Sequence, residues 1–387
     1  MDALTTPSNW QRVRLGDILT LKHGRDYKNF KLGNIPVYGS GGYMLSINNF
    51  LHNGESVCIG RKGTIDKPIY LNGKFWVVDT LFYSYSFKKS IPKFIFYAFS
   101  IIKWSNYNEA TGIPSLTKMT ISNIEIPLPP LNEQIAIANI LSDVDRYLYS
   151  LDALILKKES VKKALSFELL SQRKRLKGFN QAWQRVRLGD MTTSFTKQTG
   201  FDYSASIKPT LIKEQLPHYI PFIQNKDFSG HYINYKTDYF IPNEIAIRFP
   251  QILLNEKCLL ISIVGSIGNV AVFNHSQDAF TGCAIAVLKF KEKKSLDFVM
   301  HFLMSASGQK SLLNIVKASS HKSIILADLR DLLIPLPPLN EQIAIANILS
   351  DLDNEIISLK NKKRQFDNIK KALNHDLMSA KIRVLKK

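Results

Sequence analysis

The chain carries two internal repeats, and they constrain its fold more than any other feature. The eight-residue segment Trp10–Asp17 recurs unchanged at Trp183–Asp190. The eighteen-residue segment Ile126–Asp143 recurs unchanged at Ile334–Asp351. Because eighteen consecutive identities do not arise by chance, one structural unit is written twice in this chain. It must therefore fold as two similar halves rather than around one undivided core.

Between these flanking segments the sequences of the two halves differ, but some short segments still correspond. Ile35-Pro36 corresponds to Ile220-Pro221, and Gly63-Thr64-Ile65 corresponds to Gly265-Ser266-Ile267. The offset between corresponding positions only rises along the chain, as insertions into the surface loops of a shared scaffold would make it rise. Short β-branched and aromatic runs with Gly-rich turns precede a capped helix at Ser90–Phe99. Each variable region is therefore predicted to be a compact α+β domain.

The segment after each Pro-Pro pair favours a long helix. It lacks Gly and Pro, and apolar residues recur at heptad a and d positions from Leu141 to Leu169 and from Leu349 to Leu377, with lysines in the middle of each series. A helix with such an apolar stripe could also pack on its own domain. Since the chain holds two near-copies, we expect them to pair with each other as a coiled coil, each about 65 Å long at ~1.5 Å per residue.

The charge balance indicates a polyanionic partner. The chain has 51 Lys and Arg against 32 Asp and Glu, a net charge of +19, which makes nucleic acid the first candidate. The three cysteines are widely spaced and form no CxxC pair, which is typical of a reducing compartment. No apolar stretch is long enough to span a bilayer. These features predict a cytoplasmic protein.

The sequence offers imitations of catalytic motifs but no convincing one. The Gly39–Gly42 turn lacks the spacing of a nucleotide-binding loop. Pro129-Pro130 is preceded by Leu, whereas an amino-methyltransferase needs a polar residue there to hold a flipped base. Asp278 with Glu292-Lys293-Lys294 has the spacing of a nuclease motif but lies in a Lys-rich strand edge. We therefore expect a binding protein rather than an enzyme.

Loop residues in corresponding places of the two halves are candidates for DNA contacts. Lys and Arg on turns suit phosphates, while Arg, Asn and Gln can read base edges; for each single residue, a solvated surface side chain is the alternative. The candidates in the first half are Lys22, Arg25, Lys28, Arg61 and Lys62. Those in the second half are Gln224, Asn225, Lys226, Ser266 and Asn269.

This layout resembles the DNA specificity subunit of type I restriction–modification systems. The resemblance rests on the twice-written Pro-Leu-Pro-Pro-Leu-Asn-Glu-Gln at 127–134 and 335–342 with a helix after each, on the repeated Trp-Gln-Arg-Val-Arg-Leu-Gly-Asp, and on Ile35–Gly42. It covers essentially the whole chain. It implies an α+β fold in which two target-recognition domains are joined by two long antiparallel coiled-coil helices, with an internal pseudo-two-fold repeat.

The resemblance also implies domain boundaries. The first recognition domain would cover 1–131, with its variable part at about 18–125, and the first helix 132–178. The second domain would cover 179–339, with its variable part at about 191–333, and the second helix 340–387. Each domain would read one half of a split, asymmetric site in double-stranded DNA.

Partners and cofactors follow from the resemblance as well. The helices would recruit two DNA adenine-methyltransferase subunits and, through them, ATP-driven restriction subunits. S-adenosylmethionine, ATP and Mg²⁺ would belong to those partners, with none bound by this chain. Candidate partner contacts are Asn132, Glu133, Gln134, Asn340, Glu341 and Gln342. A non-catalytic architectural or regulatory DNA-binding protein remains the alternative.

The repeat makes one prediction about the chain ends. The first helix leads directly into the second copy of the Trp segment at Trp183. A pseudo-two-fold repeat requires the same neighbourhood where the second helix ends, near Val384. Only the chain's own start at Trp10–Asp17 is free to supply it, so the two ends should lie side by side.

Overall fold

The computed structural model describes residues 7, 9–317 and 322–384, so the predicted outer boundaries at 1 and 387 lie outside the described residues. The chain divides into two compact units. Unit 1 comprises Met1–Leu154 together with Leu359–Lys387, and unit 2 comprises Ile155–Ser358. Unit 1 is thus assembled from both ends of the chain, whereas unit 2 is one continuous segment.

The first half of the chain begins with strands and ends in a long helix, as its residue pattern predicts. Its strands are β1 Gln11–Arg14, β2 Thr20–His23, β3 Leu32–Gly39, β4 Gly42–Ile47, β5 His52–Asn53, β6 Ser56–Gly60, β7 Ile69–Leu71, β8 Lys74–Val77, β9 Leu81–Tyr85 and β10 Glu125–Leu128. Its helices are α1 Leu15–Ile18, α2 Pro92–Ile101, α3 Lys118–Asn123 and α4 Leu131–Leu170.

The second half repeats this order with additional short elements. Its strands are β11 Gln184–Arg187, β12 Thr192–Lys197, β13 Tyr219–Ile223, β14 Phe228–Ser229, β15 Tyr232–Ile233, β16 Phe240–Pro242, β17 Leu253–Leu254, β18 Cys258–Ser262, β19 Val270–Phe273, β20 Ala279–Thr281, β21 Ile285–Phe290, β22 Val316–Lys317, β23 Ser323–Ile324 and β24 Leu333–Leu336. Its helices are α5 Gly200–Asp202, α6 Asn243–Ala246, α7 Leu296–Met304, α8 Ala306–Asn314, α9 Leu326–Arg330 and α10 Leu339–Met378.

The sheets of the two units have the same topology. Unit 1 contains four-stranded sheets of order β2-β9-β6-β7 and β4-β3-β8-β5, and unit 2 contains β12-β21-β18-β19 and β16-β13-β20-β17. In each unit one pair is parallel, β3 with β8 and β13 with β20, while the neighbouring pairs are antiparallel. The Trp-containing repeat forms a strand that pairs with the strand before the Pro-Pro segment, β1 with β10 and β11 with β24. The internal repeat predicted from the sequence is therefore a repeat of structure.

The apolar positions of the heptads are buried within each unit. In unit 1, Leu141 and Leu377 belong to the same core as Trp10. In unit 2, Leu169 and Leu349 belong to one core. The start of one long helix thus packs beside the end of the other.

Ion pairs show the direction in which the helices run. In unit 1, Lys370 pairs with Asp145, and Lys363 Nζ lies 2.8 Å from Asp152 Oδ1. In unit 2, Lys162 pairs with Asp353, and Lys158 Nζ lies 2.7 Å from Glu355 Oε1. Residue numbers rise on α4 as they fall on α10, so the pairing is antiparallel. The predicted fold, two α+β domains with a long antiparallel helix pair, is confirmed.

The long helices end earlier than the predicted boundaries at 178 and 387. After α4, Gln172 adopts a left-handed conformation with φ of 62°, and Lys174 N donates to Glu168 O at 3.1 Å. After α10, Ala380 has φ of 56°, and Ile382 N donates to Asp376 O at 3.2 Å. These turns satisfy carbonyls left free by the helix end and stop the helix without Gly or Pro.

Candidate nucleic-acid interface

In unit 1, Arg61 and Lys62 lie on a turn that the backbone holds on two sides. Arg61 N donates to Thr80 O at 2.8 Å, and Arg61 O accepts from Leu116 N at 2.9 Å. The preceding Gly60 has no room for a side chain, since a Cβ there would lie 2.0 Å from Thr64 O. Both cationic side chains are exposed. A constrained turn therefore presents two exposed cations.

The Arg61-Lys62 turn lines one of two neighbouring open cavities. The first has a volume of about 910 Å³ and is lined by Arg61, Lys62 and the exposed apolar side chains of Ile113 and Met119. The second, of about 710 Å³, is lined by Lys28 together with Gly39–Met44. Asp79 and Thr80 line both cavities. The predicted residues Arg61, Lys62 and Lys28 are thus brought to one face.

The other two candidates of the first half lie outside these cavities. Lys22 is in β2, with its Nζ 4.6 Å from the centre of the Tyr85 ring. Arg25 is exposed, and its backbone is fixed by Trp76 Nε1, which donates to Arg25 O at 2.7 Å. Within the described part of the chain, neither residue lines a cavity with Arg61 and Lys62.

In unit 2, the candidates Gln224, Asn225 and Lys226 form a turn held by its own side chains. Gln224 N donates to Asp227 Oδ2 at 2.8 Å, and Asn225 Nδ2 donates to Val264 O at 3.0 Å. Lys226 forms an exposed ion pair with Asp238, and this contact raises the pKa of the Lys226 ammonium. Such an exposed pair contributes little energy, so Lys226 can exchange it for a phosphate.

Ser266 and Asn269 flank the neighbouring turn of unit 2. Both side chains are exposed. The backbone at Asn269 is fixed because its carbonyl oxygen accepts from Ser262 N at 2.9 Å. Asn269 also lines a cavity of about 230 Å³ with Gln309. The bond from Asn225 Nδ2 to Val264 O places Asn225 beside the turn that carries Ser266. In unit 1, Ser40 N and Arg61 N both donate to Thr80, which places their turns side by side.

Equivalent turns of the two units are held alike but carry opposite chemistry. In unit 2, Ile324 N donates to Ile263 O at 2.9 Å, and Val264 forms a β-bridge with Ser323. In unit 1, the same bond joins Leu116 to Arg61, and Lys62 bridges Ser115. Ile263-Val264 therefore stands where unit 1 has Arg61-Lys62. The alignment of Gly63 with Gly265 in the sequence already implies this correspondence.

Glu133 and Glu341, expected to contact a partner, are buried within the chain. Glu133, at 2% exposure, accepts from Trp10 Nε1 at 3.1 Å and from Arg383 Nε at 2.8 Å. Glu341, at 0%, accepts from Trp183 Nε1 at 3.2 Å and from Arg175 Nε at 2.8 Å. We call these the Glu133 cluster (Trp10, Glu133, Arg383) and the Glu341 cluster (Trp183, Glu341, Arg175). In this structure, each cluster holds together segments of the chain that are far apart in sequence.

The Glu133 cluster confirms the prediction about the chain ends. Arg383 Nη2 also donates to Asn9 Oδ1 at 3.2 Å, and Val384 packs on the core that contains Trp10. Arg383 was not singled out from the sequence, although it lies 208 residues after Arg175, the same offset that separates the long repeats.

Of the remaining partner-contact candidates, the glutamines are buried and the asparagines exposed. Gln134 Nε2 donates to Pro129 O at 2.8 Å, and Gln342 Nε2 donates to Pro337 O at 2.7 Å. Each Gln thereby fastens the Pro-Pro turn to the first turn of its helix. Asn132 and Asn340 are exposed. Only these two of the six candidates have exposed side chains.

Within residues 7, 9–317 and 322–384, no three His, Cys, Asp or Glu side chains are grouped so that they could hold a metal ion. No helix in the described part of the chain is both long and apolar enough to cross a membrane.

Comparison with known proteins gives concordant results. A family model described as "Type I restriction modification DNA specificity domain" matches residues 7–159 and 180–366. The "Type I restriction enzyme MjaVIII specificity subunit" of Methanocaldococcus jannaschii is 26% identical, over 99% of this chain and 95% of its own length. The EcoBI specificity subunit of Escherichia coli is 21% identical, over 90% and 80%. The crystal structure of the S subunit from M. genitalium shares the fold, with a TM-score of 0.68, 17% identity and 97% coverage of both chains.

Proposed function

Because this chain belongs to the type I restriction–modification DNA specificity family and is its non-catalytic specificity subunit, we propose that its two units read two different halves of one site. The site is bipartite and asymmetric, in double-stranded DNA. Unit 1 reads its half through the face bearing Lys28, Arg61 and Lys62, and unit 2 through the turns at Gln224–Lys226 and Ser266–Asn269.

The observation that carries this proposal is the pair of equivalent turns with unlike side chains. Arg61-Lys62 and Ile263-Val264 are held by matching backbone bonds on matching sheets. The exposed cations of unit 1 suit phosphates and guanine edges, whereas Ile263 is buried in the core of unit 2 and Val264 is half-buried, so the turn of unit 2 presents no cation. Two units with the same backbone arrangement but different side chains on the equivalent turn support a DNA site with two different halves.

The proposal extends to partners. The starts of α4 and α10 are identical in sequence, and each exposes its Asn (Asn132 and Asn340). Two identical exposed surfaces support the docking of two methyltransferase subunits per chain, with restriction subunits bound through them. S-adenosylmethionine, ATP and Mg²⁺ are assigned to those partners and none to this chain. The complex acts on DNA in the cytoplasm.

The test compares variants of the full chain purified with a methyltransferase subunit. Arg61→Ala with Lys62→Ala should weaken DNA binding and reduce the slope of log affinity against log salt by about one unit per lost phosphate contact. Lys67→Ala with Lys103→Ala removes two exposed cations outside the two cavities and serves as the control. An unchanged affinity and slope in the first variant would contradict the assignment of the face.

Sequencing of modified adenines tests the half-site model. We expect a split motif with two unlike halves, and the substitutions Arg61→Ile with Lys62→Val should alter one half only. A palindromic motif contradicts the model. DNA binding without any methylation in the presence of the methyltransferase would favour an architectural or regulatory protein instead.

A further inference from the structure

The turn between β8 and β9 carries an exposed carboxylate, that of Asp79, on the face of unit 1 that bears the candidate cations. The next residue, Thr80, is held by two other turns. Its carbonyl oxygen accepts from Arg61 N at 2.8 Å, and its hydroxyl oxygen accepts from Ser40 N at 3.3 Å. Asp79 is therefore presented by a turn whose position relative to the cations is fixed through the backbone.

Two acidic residues are among the described residues that line the two cavities of this face, and their surroundings differ. Asp26 Oδ1 accepts from Lys28 N at 3.1 Å, and Asp26 Oδ2 lies 4.0 Å from Lys28 Nζ. Asp79 lines both cavities, and within the described part of the chain its carboxylate has no hydrogen bond or ion pair. The Arg61 guanidinium donates to the backbone carbonyl of Asp79 instead, at 3.3 Å. The Asp79 carboxylate is thus an acceptor that the folded chain does not use.

The equivalent turn of unit 2 carries a thiol at this position. Ile263 N donates to Ala284 O at 2.8 Å, and this bond is the counterpart of the one that holds Thr80 in unit 1. Cys283 therefore stands where unit 1 has Asp79. Cys283 is half-buried, and burial raises the pKa of its thiol, so that it carries no charge at neutral pH. Because the same turn forms with Cys, the backbone does not require a carboxylate there.

A carboxylate on a phosphate-binding face lowers the affinity for DNA unless it meets a donor. It repels the phosphates that Arg61 and Lys62 attract, and it can only accept hydrogen bonds. In the major groove, cytosine presents its N4 amino group as a donor with no acceptor beside it on the same base. The amino group of adenine adjoins the acceptor N7, and guanine and thymine present acceptors. Among the four bases, a carboxylate therefore fits cytosine best.

We propose that Asp79 is a specificity-determining residue of unit 1, whose carboxylate accepts a hydrogen bond from the N4 amino group of one cytosine in the half-site. Arg61 and Lys62 in one cavity and Lys28 in the other bind the flanking phosphates, while Asp79 selects the base. The selection includes exclusion, because a carboxylate that faces guanine O6 or thymine O4 brings two acceptors together. This inference rests on the proposed function and adds to it the base that one side chain selects.

The test uses two substitutions of Asp79 and a control matched in charge. Asp79→Asn removes the charge with little change in shape, and Asp79→Ala removes the acceptor. The control Asp66→Asn removes the same charge from an exposed carboxylate of unit 1 that lines neither cavity. Each full chain is purified with a methyltransferase subunit. The motif is determined by sequencing of modified adenines, and affinity is measured on duplexes that differ at single base pairs and on DNA without the motif.

The parent should require a C·G pair at one position of one half-site. Asp79→Ala should accept any pair there, with discrimination against the other pairs reduced by about 5- to 150-fold. Asp79→Asn should accept adenine at that position, because an amide can donate to N7 and accept from N6. The other half-site should not change, and Asp66→Asn should keep the parent's motif. Affinity for DNA without the motif should not fall in either Asp79 variant, since a negative charge is removed; a purely structural role would lower it.

An unchanged motif in both Asp79 variants overturns the inference. Relaxation at a pair other than C·G, or in both half-sites, overturns it as well. The proposed function is tested separately by Arg61→Ala with Lys62→Ala. If that variant binds DNA weakly while the Asp79 variants keep the motif, only the assignment of Asp79 is wrong. If it binds as the parent does, the assignment of the whole face is wrong, and the inference fails with it.

Discussion

Removal of the Arg383 guanidinium should destabilise unit 1, although the residue lies almost at the end of the chain. In the Glu133 cluster, Arg383 donates from Nε and Nη2 to both carboxylate oxygens, at 2.8 and 3.2 Å. The Glu133 side chain is 3% exposed and that of Arg383 31%. Arg383→Ala leaves a buried carboxylate with Trp10 Nε1 as its remaining side-chain donor.

The size of the effect follows from this geometry. Breaking a buried ion pair costs about 3–5 kcal/mol, and the partial exposure of Arg383 reduces this to about 2–4 kcal/mol. For a unit of this size the loss corresponds to a fall of about 5–10 °C in Tm. Chemical denaturation gives the free energy of unfolding, and hydrogen exchange at Gln11–Arg14 should accelerate because β1 is held in part through this cluster.

Two matched variants sharpen the test. Arg175→Ala removes the corresponding donor of the Glu341 cluster and should destabilise unit 2 by a similar amount. Arg146→Ala breaks an exposed pair with Asp143 and should change stability by less than about 0.5 kcal/mol. If Arg383→Ala behaved like Arg146→Ala, the cluster would not contribute to stability and the reasoning would be refuted.

Three further predictions concern the chain ends, pH and the recognition turn. A circular permutant that joins the two ends and opens at the exposed Gly178 should keep the parent's Tm to within about 3 °C; failure to fold would count against adjacent ends. Burial lowers the pKa of His301 from 6.5 to about 3. Below pH 6.5 the imidazole of His301 therefore binds a proton in the unfolded chain but stays neutral in the folded chain. Stability should therefore fall by about 1.4 kcal/mol per pH unit between pH 6.5 and pH 3, and His301→Gln should flatten that slope in urea denaturation; an unchanged slope refutes the assignment. Gly60→Ala should weaken DNA binding as well as lower Tm, because its Cβ would displace Thr64 and the turn beside it; unaltered binding and Tm would show that the turn is not constrained.

Most of the fold could be predicted because its determinants are local or repeated. The heptads of α4 and α10 and the apolar runs of the sheets follow from periodicity alone. Helix α2 was expected at Ser90–Phe99 and is Pro92–Ile101. The helix ends were missed because Gln172 and Ala380 adopt left-handed turns that neither residue type signals.

The candidate site was less accessible to sequence reasoning. From the sequence, a Glu that occurs in both repeats can be interpreted as a partner-binding residue or as a buried carboxylate. The second interpretation is correct where another part of the chain supplies a cation to pair with the carboxylate. For Glu133 that cation is Arg383, 250 residues further along the chain. The exposed loop cations were easier to find, but which of them share a face depends on how β6, β9 and their turns meet.

The discontinuity of unit 1 has a consequence for biosynthesis. Leu377 and Met378 belong to its core, and they are synthesised after the whole of unit 2. Unit 2 is complete in sequence before unit 1 is, although unit 1 contains the N-terminal domain. At about 5–20 residues per second the N-terminal domain waits some ten seconds or more for its last segment. A stop codon placed between Ser358 and Leu377 would therefore damage the first recognition domain rather than the second.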